Sequence, residues 1–397
     1  MNVERVAPED WPRLGAEWSR LLEQASQPEI FLSPEWIISW FRHFRDGREP
    51  FLLAARDEAG ALVGVAPLYR RRLTPLPLTR LSLLGDEGVG SEYLGMLVRK
   101  GAEPAFLEAL SRALAGEYAL ADLHGLRAGH EGSEALIRRL GAVAPSRIHR
   151  ERLPCSAIQL PGDYESYLAS LASKFRTTLR YRTNKLTKSF QVRLLRTDRE
   201  DQIEAHLERF FAMHQGRWTA EGHSGSFHHP RKRTFYREIS EGFLRRGWLR
   251  FYHLEVDGVI RAAQFGFAFS GVLLSLQEAF DDRFRPQGVG GVGVVLRGMA
   301  IRECIAEGLT SYDFLGGEEE FKTRWGTTTH FVERARIGAP GLAGALAYAW
   351  SARSRDGRLW LRRHLPARWV DFRDRLRVRR QARKARAITE GSGEISR

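Results

Sequence analysis

The chain has 397 residues, 43% hydrophobic and 28% charged, enough for two or three globular domains with ample core. Two cysteines, Cys155 and Cys304, exclude a disulfide scaffold and a cysteine-ligated zinc site and fit a reducing cytosol. The net charge of +14 is uneven: from Pro340 onward there are 15 Lys or Arg against five Asp or Glu, so the body keeps only about +4, which suits an enzyme binding an anion locally and not a nucleic-acid binder. Met1 to Asp10 has no apolar core of a secretory signal, and no apolar run is long enough to span a bilayer, so the expected location is cytoplasmic.

In chain order, Val3–Val6 opens a strand and Pro8–Ala25 reads as a helix with Trp11, Leu14, Trp18, Leu21 and Leu22 on one face. Ser33-Pro34 starts a second helix through Phe44. Strands over 50–56 and 61–69 flank a turn at Asp57–Gly60, and an extended piece over 78–84 leads into Gly85-Asp-Glu-Gly-Val-Gly-Ser-Glu-Tyr-Leu94. Helix 103–115, strand 119–126 and helix 131–140 complete a first half, and the chain crosses over around Arg147–Cys155. A helix over 164–188, a strand over 191–196 and a helix over 198–216 begin the second half. After an irregular stretch, helix 230–246 precedes strands 248–256 and 259–269, joined by Asp257-Gly258, a strong hairpin signal.

The stretch Val272–Arg336 carries the chemistry. A strand, Val272–Phe280, is followed by an arginine- and glycine-rich loop, a helix with Val292, Val295, Leu296 and Met299 at helical spacing, and a short strand, Ser311–Leu315. A helix start offers unpaired N–H groups and a positive dipole end, and glycine lets a phosphate come close. Arg283 and Arg285 add charged donors. The same glycines would also serve tight packing of a helix on a sheet. With no Walker lysine and no clean G-x-G-x-x-G, an NTPase or nicotinamide enzyme is disfavoured. The halves echo each other, giving expected domains at 1–150, 151–338 and a basic helical tail at 339–397.

The motifs Tyr312-Asp313-Phe314, Gly316-Gly317-Glu318 and Phe321-Lys-Thr-Arg-Trp325, with the basic helix Ser173–Leu186, resemble the tandem branch of the GNAT acyltransferase superfamily. That branch includes cellulose-biosynthesis acetyltransferase-like and FemAB-like proteins. The resemblance implies an α/β (α+β) fold of two GNAT-like domains, each a mixed, mostly antiparallel sheet flanked by helices. It implies acyl transfer from acetyl-CoA or another acyl-CoA to an amine, with no metal, in envelope or exopolysaccharide metabolism. It places the cofactor pyrophosphate on Arg285, Gln287, Gly288, Val289, Gly290, Gly291 and Gly293. Pro286 and the extra glycines depart from the usual signature, leaving acyl carrier protein and aminoacyl-tRNA as alternative donors, and a non-catalytic scaffold as a further reading.

Amine attack on a thioester needs a base, an oxyanion donor and a proton for the leaving sulfur. Glu278 is the first candidate base; alternatively it faces solvent. Asp313 binds the ammonium or orients the base, or else pairs with a buried arginine; Tyr312 protonates the thiolate, or is core. Acceptor-side candidates are Trp218 and Glu221 in the irregular stretch and Lys322 and Trp325 in the last motif, although Trp325 also reads as a helix anchor and Lys322 as part of a solvated face. His223, His228 and His229 lack the carboxylate–histidine spacing of a catalytic zinc site. The acceptor is expected to be a small-molecule or glycan-precursor amine. Trp369–Arg386 reads as a basic amphipathic helix suited to an anionic membrane surface at the inner face, with no specific nucleic acid expected.

Overall fold

Asp257 and Gly258 both adopt positive φ, 48° and 77°, the geometry a two-residue turn needs between right-twisted strands, and Ser270 and Gly271 repeat it at 48° and 79°. These turns fold three apolar runs into a meander at the heart of the second half. The computed structural model describes residues 1–220, 227–317 and 320–364, and only the backbone of 217–220, 320 and 354–364. Met1–Ala347 forms one unit and Tyr348 onward another.

The chain opens with β1 (Asn2–Val6), α1 (Trp11–Gln24) and α2 (Pro34–Phe44), whose start is fixed by the Ser33 hydroxyl accepting from Trp36 N. The hairpin β2 (Glu49–Arg56) and β3 (Leu62–Arg72) is followed by β4 (Thr79–Leu83), β5 (Leu97–Val98), α3 (Glu103–Ala113), β6 (Leu120–Arg127) and α4 (Glu131–Gly141). Next come β7 (Ile148–Gln159), α5 (Tyr164–Ser170), α6 (Ser173–Ser189), β8 (Val192–Arg196), α7 (Glu200–Ala220) and α8 (Pro230–Arg245). The meander is β9 (Leu249–Val256), β10 (Val259–Phe269) and β11 (Val272–Phe280). It leads to α9 (Gly293–Ala306), β12 (Ser311–Gly316), α10 (Glu320–Thr323), β13 (Thr328–Gly338) and α11 (Gly341–His364).

Twelve strands follow one path, β1-β2-β3-β4-β6-β13-β7-β12-β11-β10-β9-β8, with β5 on β3. Only β4–β6 and β11–β12 pair in parallel among the named strands, so the expected mixed, mostly antiparallel α/β sheet is what forms. One face is sealed by an aromatic core that crosses the halves: Trp36 of α2 lies 5.0 Å from Phe235 of α8 and 5.7 Å from Phe267 of β10. On the other, Val295, Leu296 and Ile301 of α9 pack with Leu179 of α6 and Tyr312.

Three expectations need correction. The expected crossover at Arg147–Cys155 is part of β7, and no strand was expected where β13 runs; yet β13 lies between β6 and β7 at the centre of the sheet. Both strands carry charges that read as loop, and those charges are paired across the sheet. Arg150 of β7 holds Glu134 and Glu333, the latter fully buried, and Arg334 of β13 donates twice to Asp122 of β6 at 2.6 Å. Residue 150 thus falls inside β7, and both halves contribute to one sheet. The expected helix over 164–188 is two helices, α5 and α6, broken at Leu171 and Ala172, whose backbones are extended.

Each half contains a parallel pair that diverges. In the first, β4 and β6 share only Arg80↔Leu120 and Leu81↔Ala121, and beyond them the loop following β4 enters the gap. Leu94 there bridges to Leu126 and donates its N–H to Gly125 O at 2.8 Å.

Candidate functional site

In the second half the corresponding gap stays open. β11 and β12 pair only at Val272↔Ser311, Leu273↔Tyr312 and Leu274↔Asp313. Both strands then bend. Against β10 the register jumps so that Phe265 faces Gln277 while Gly266 faces Ser275, leaving Leu276 as a bulge. Gly266 is required here: a Cβ would stand 2.5 Å from Leu274 O. On β12, Leu315 takes φ 59°, held by the Asp313 carboxylate accepting its N–H at 2.7 Å.

The divergence opens a cleft of about 1150 Å³. Ser275 to Asp282 form one wall, Phe314 and Gly316 the other, and Gly291, Gly293 and Val294 at the start of α9 the end. That helix start has no side-chain cap, so its first N–H groups meet the cleft. Gly293 is needed for packing, since a Cβ would sit 2.5 Å from the Phe280 ring. Gly288 and Gly290 have positive φ and lie under Tyr181, Lys185 and Arg182 of α6. Gly291 differs: neither its φ nor any neighbour within 4 Å demands glycine, and it borders the cleft. Lys174, Arg182, Arg285 and Arg324 add positive charge around the same space.

The cleft gathers some of the sequence-predicted residues and excludes others. Glu278, Arg285, Gly291, Gly293, Lys322 and Trp325 line it. Glu278 is gripped by Arg297 through two hydrogen bonds, Nε to Oε1 at 2.9 Å and Nη2 to Oε2. Arg297 is buried and stacked over Phe321 at 4.7 Å and Trp325 at 5.2 Å. This pair fixes the Glu278 carboxylate in place at the cleft wall. Lys322 turns inward, donating to Gly316 O at 2.9 Å and Gly317 O at 3.2 Å, so it holds the turn after β12 in place of a solvated face. Trp325 is buried against Phe175, and its carbonyl accepts from Tyr167.

Tyr312 and Asp313 do not line the cleft. Tyr312 is fully buried and donates to Gln264 Oε1 at 2.7 Å. Asp313 points to the other face, where it accepts from Tyr93 Oη at 2.6 Å; His330 Nε2 lies 2.6 Å from the same hydroxyl. Burial raises the Asp313 carboxyl and lowers the His330 imidazole. Gln287, Gly288, Val289 and Gly290 form the outer part of the loop under α6, away from the lining. Trp218 is in α7, with its side chain outside the described residues, as are Glu221, His223, Glu318 and Trp369–Arg386. His229 caps α8, accepting from Arg231 N. Among the described residues no group of three or more His, Cys, Asp or Glu could hold a metal ion, and no helix is long and apolar enough to cross a membrane.

Sequence reasoning missed Arg297, His214 and Glu92. Arg297 sits within an apolar helical stripe, a signal that could have been used. Glu92 comes from the first half and lies against Gly316, a residue of the cleft wall, where an added Cβ would lie 2.6 Å from its Oε1.

The acetyltransferase (GNAT) domain family matches residues 173–323. No curated protein sequence matches the chain. Among solved structures, FemX superposes with a TM-score of 0.58 at 12% identity, covering 84% of this chain and 97% of that one. A conserved protein of unknown function from Bacteroides thetaiotaomicron VPI-5482 gives 0.54 at 13% identity, covering 85% and 99%. A tandem GNAT protein from the clavulanic acid biosynthesis pathway is also similar, at 0.43 and 12% identity, over 86% and 99%. Residues 173–323 thus match the acetyltransferase (GNAT) domain family, within a chain whose fold is similar to that of FemX.

Proposed function

We propose that the chain is an N-acyltransferase that moves an acyl group from a pantetheine thioester, an acyl-CoA or acyl carrier protein, to an amine entering the gap between β11 and β12. The observation that carries this is the uncapped start of α9 opening on a cleft beside Gly291, a glycine that packing does not require. N–H groups there suit a diphosphate, and Lys174, Arg182 and Arg285 supply further donors. The bent edge of β11 would run alongside a pantetheine arm, leaving its sulfur near Glu278 and Gly316. The acceptor is a small-molecule or glycan-precursor amine in envelope or exopolysaccharide metabolism, and the basic tail would hold the enzyme at an anionic inner-membrane surface.

A second reading is an aminoacyl-tRNA donor, favoured by the exposed cations Lys174, Arg180, Lys185 and Lys188 along α6. Thermal-shift and calorimetric titrations with acetyl-CoA, longer acyl-CoAs and charged tRNA separate the two. Acyl-CoA binding at 100 times Kd should stabilise the fold by about 2.7 kcal/mol, a shift of several °C. A response to charged tRNA alone selects the second reading; a response to none of them removes both.

A further inference from the structure

The loop between β4 and β5 has a second side. Its Leu94 fills the first half's strand gap, while Gly90 lies against Leu276, the bulge residue of β11, at 3.4 Å from an added Cβ. Glu92 stands between two anchored neighbours. The Ser91 hydroxyl accepts from Trp36 Nε1 at 2.9 Å, and Tyr93, with φ 53° and a buried ring, is tied to Asp313 and His330. Adopting positive φ at a tyrosine costs strain, so the loop is held in its conformation by both ties.

Its carboxylate has an unusual situation. Glu92 Oε2 is buried, and no hydrogen bond or ion pair from a described residue reaches it. Oε1 lies against Gly316, which lines the cleft. A buried carboxylate oxygen without a donor is costly, and such a group calls for an explanation, a catalytic role or a bound ligand among them. A side chain at position 316 would collide with it, so glycine is what lets the carboxylate lie directly against the backbone of a cleft-lining residue. Facing it are Asp313 of β12, which opposes its ionisation, and Lys322 of α10, which favours it; Cys155 of β7 is close enough to be raised by it, and Asp313 is in turn tied to Tyr93 and lies near His330. Burial is the largest influence and pushes Glu92 up to about 7, where a carboxylate can take a proton from an amine near neutral pH.

We infer that Glu92, supplied by the first half, is the proton acceptor for the amine that reacts in the second half's cleft. This rests on the transferase reading above. Glu92 takes one proton from the ammonium form of the acceptor. The nitrogen lone pair then forms the C–N bond while the C–S bond of the thioester breaks. The second nitrogen proton goes to the leaving sulfur, giving the thiol, and Glu92 releases its own proton to water. For an ester donor the bond that breaks is C–O and the proton goes to that oxygen.

The test measures thiol release from acetyl-CoA, with glucosamine and with water alone as acceptors, across pH 5–9 for wild type, Glu92→Gln and Glu92→Asp. Wild type should show an acid limb in kcat/KM near pH 7. Glu92→Gln should lose about 10²–10⁴-fold in kcat together with that limb, Glu92→Asp should recover part of the rate, and calorimetry should show acetyl-CoA bound equally well by all three. An unmoved limb in a Glu92→Gln protein that still binds donor overturns this inference and leaves the transferase reading standing. Wild-type protein that responds to none of acetyl-CoA, longer acyl-CoAs and charged tRNA, and releases no thiol from acetyl-CoA, overturns both. Gly316→Ala gives a second handle: its added methyl displaces the carboxylate, so its profile should approach that of Glu92→Gln, and a wild-type profile counts against the assignment.

Discussion

The two halves solve the same backbone problem with opposite results. Both bring two strands together in parallel and then let them part, β4 from β6 and β11 from β12. In the first half a loop is drawn into the opening, with Leu84, Val89, Tyr93 and Leu94 buried, and the space left beside it is about 50 Å³. In the second the opening is kept as a cleft of about 1150 Å³. A diverging strand pair is therefore a socket, and whether it holds protein or ligand depends on the loop that follows. Here the loop that occupies one socket also packs against residues that line the other, Gly90 against Leu276 and Glu92 against Gly316. The first half thus touches the wall of the cleft from behind.

The largest expected effect is at the open gap. Glu278→Gln takes the carboxylate from a buried guanidinium and should cost about 3–5 kcal/mol in urea unfolding, with Glu278→Leu/Arg297→Met recovering most of it. A stable but inactive Glu278→Gln protein would instead return Glu278 to the role of base and weaken the contrast. At the closed gap, Leu94→Ala should cost about 2–5 kcal/mol by opening a cavity, with acyl-CoA affinity in calorimetry changed little. A large affinity loss would mean the plug shapes the second cleft more strongly than Gly90 and Glu92 imply. Gly291→Val should lower acyl-CoA affinity roughly tenfold while moving stability by less than about 0.5 kcal/mol. Equal affinity would remove the phosphate from this corner.

The smallest effect concerns pH. Glu92 is raised from an ordinary 4.5 to about 7 by burial, so the folded chain binds its proton more tightly than the unfolded chain. That contribution is complete below 4.5 and is lost as pH climbs through about 7. Melting temperature should therefore fall across this window in wild type, and fall less in Glu92→Gln; identical profiles would show the carboxylate to be well solvated.

Much of this was legible in the sequence because the signals are local. Asp257-Gly258 marks its hairpin, Ser33-Pro34 marks α2, and the strand–glycine loop–helix run from Val272 locates the end of the cleft. The central strands β7 and β13 were hidden because Arg150, Glu333, Arg334 and Arg336 look like loop residues until their partners on neighbouring strands are known. The partner of Glu278 was hidden for the same reason: its arginine is 19 positions away, in a stripe that otherwise reads as apolar. Glu92 had no local mark at all. The residues that give it meaning, Gly316 and Asp313, lie more than 200 positions downstream, and only the interleaved sheet brings them near.

The position of β13 bears on how the chain is made. Residues 328–338 leave the ribosome after every other described strand, yet they belong in the middle of the sheet, between β6 and β7, which end at residues 127 and 159. Until they arrive, β6 and β7 present bare hydrogen-bonding edges to whatever is nearby. A nascent chain halted before Thr328 should thus be a holdase substrate prone to aggregate, and the sheet closes at its centre, not its rim.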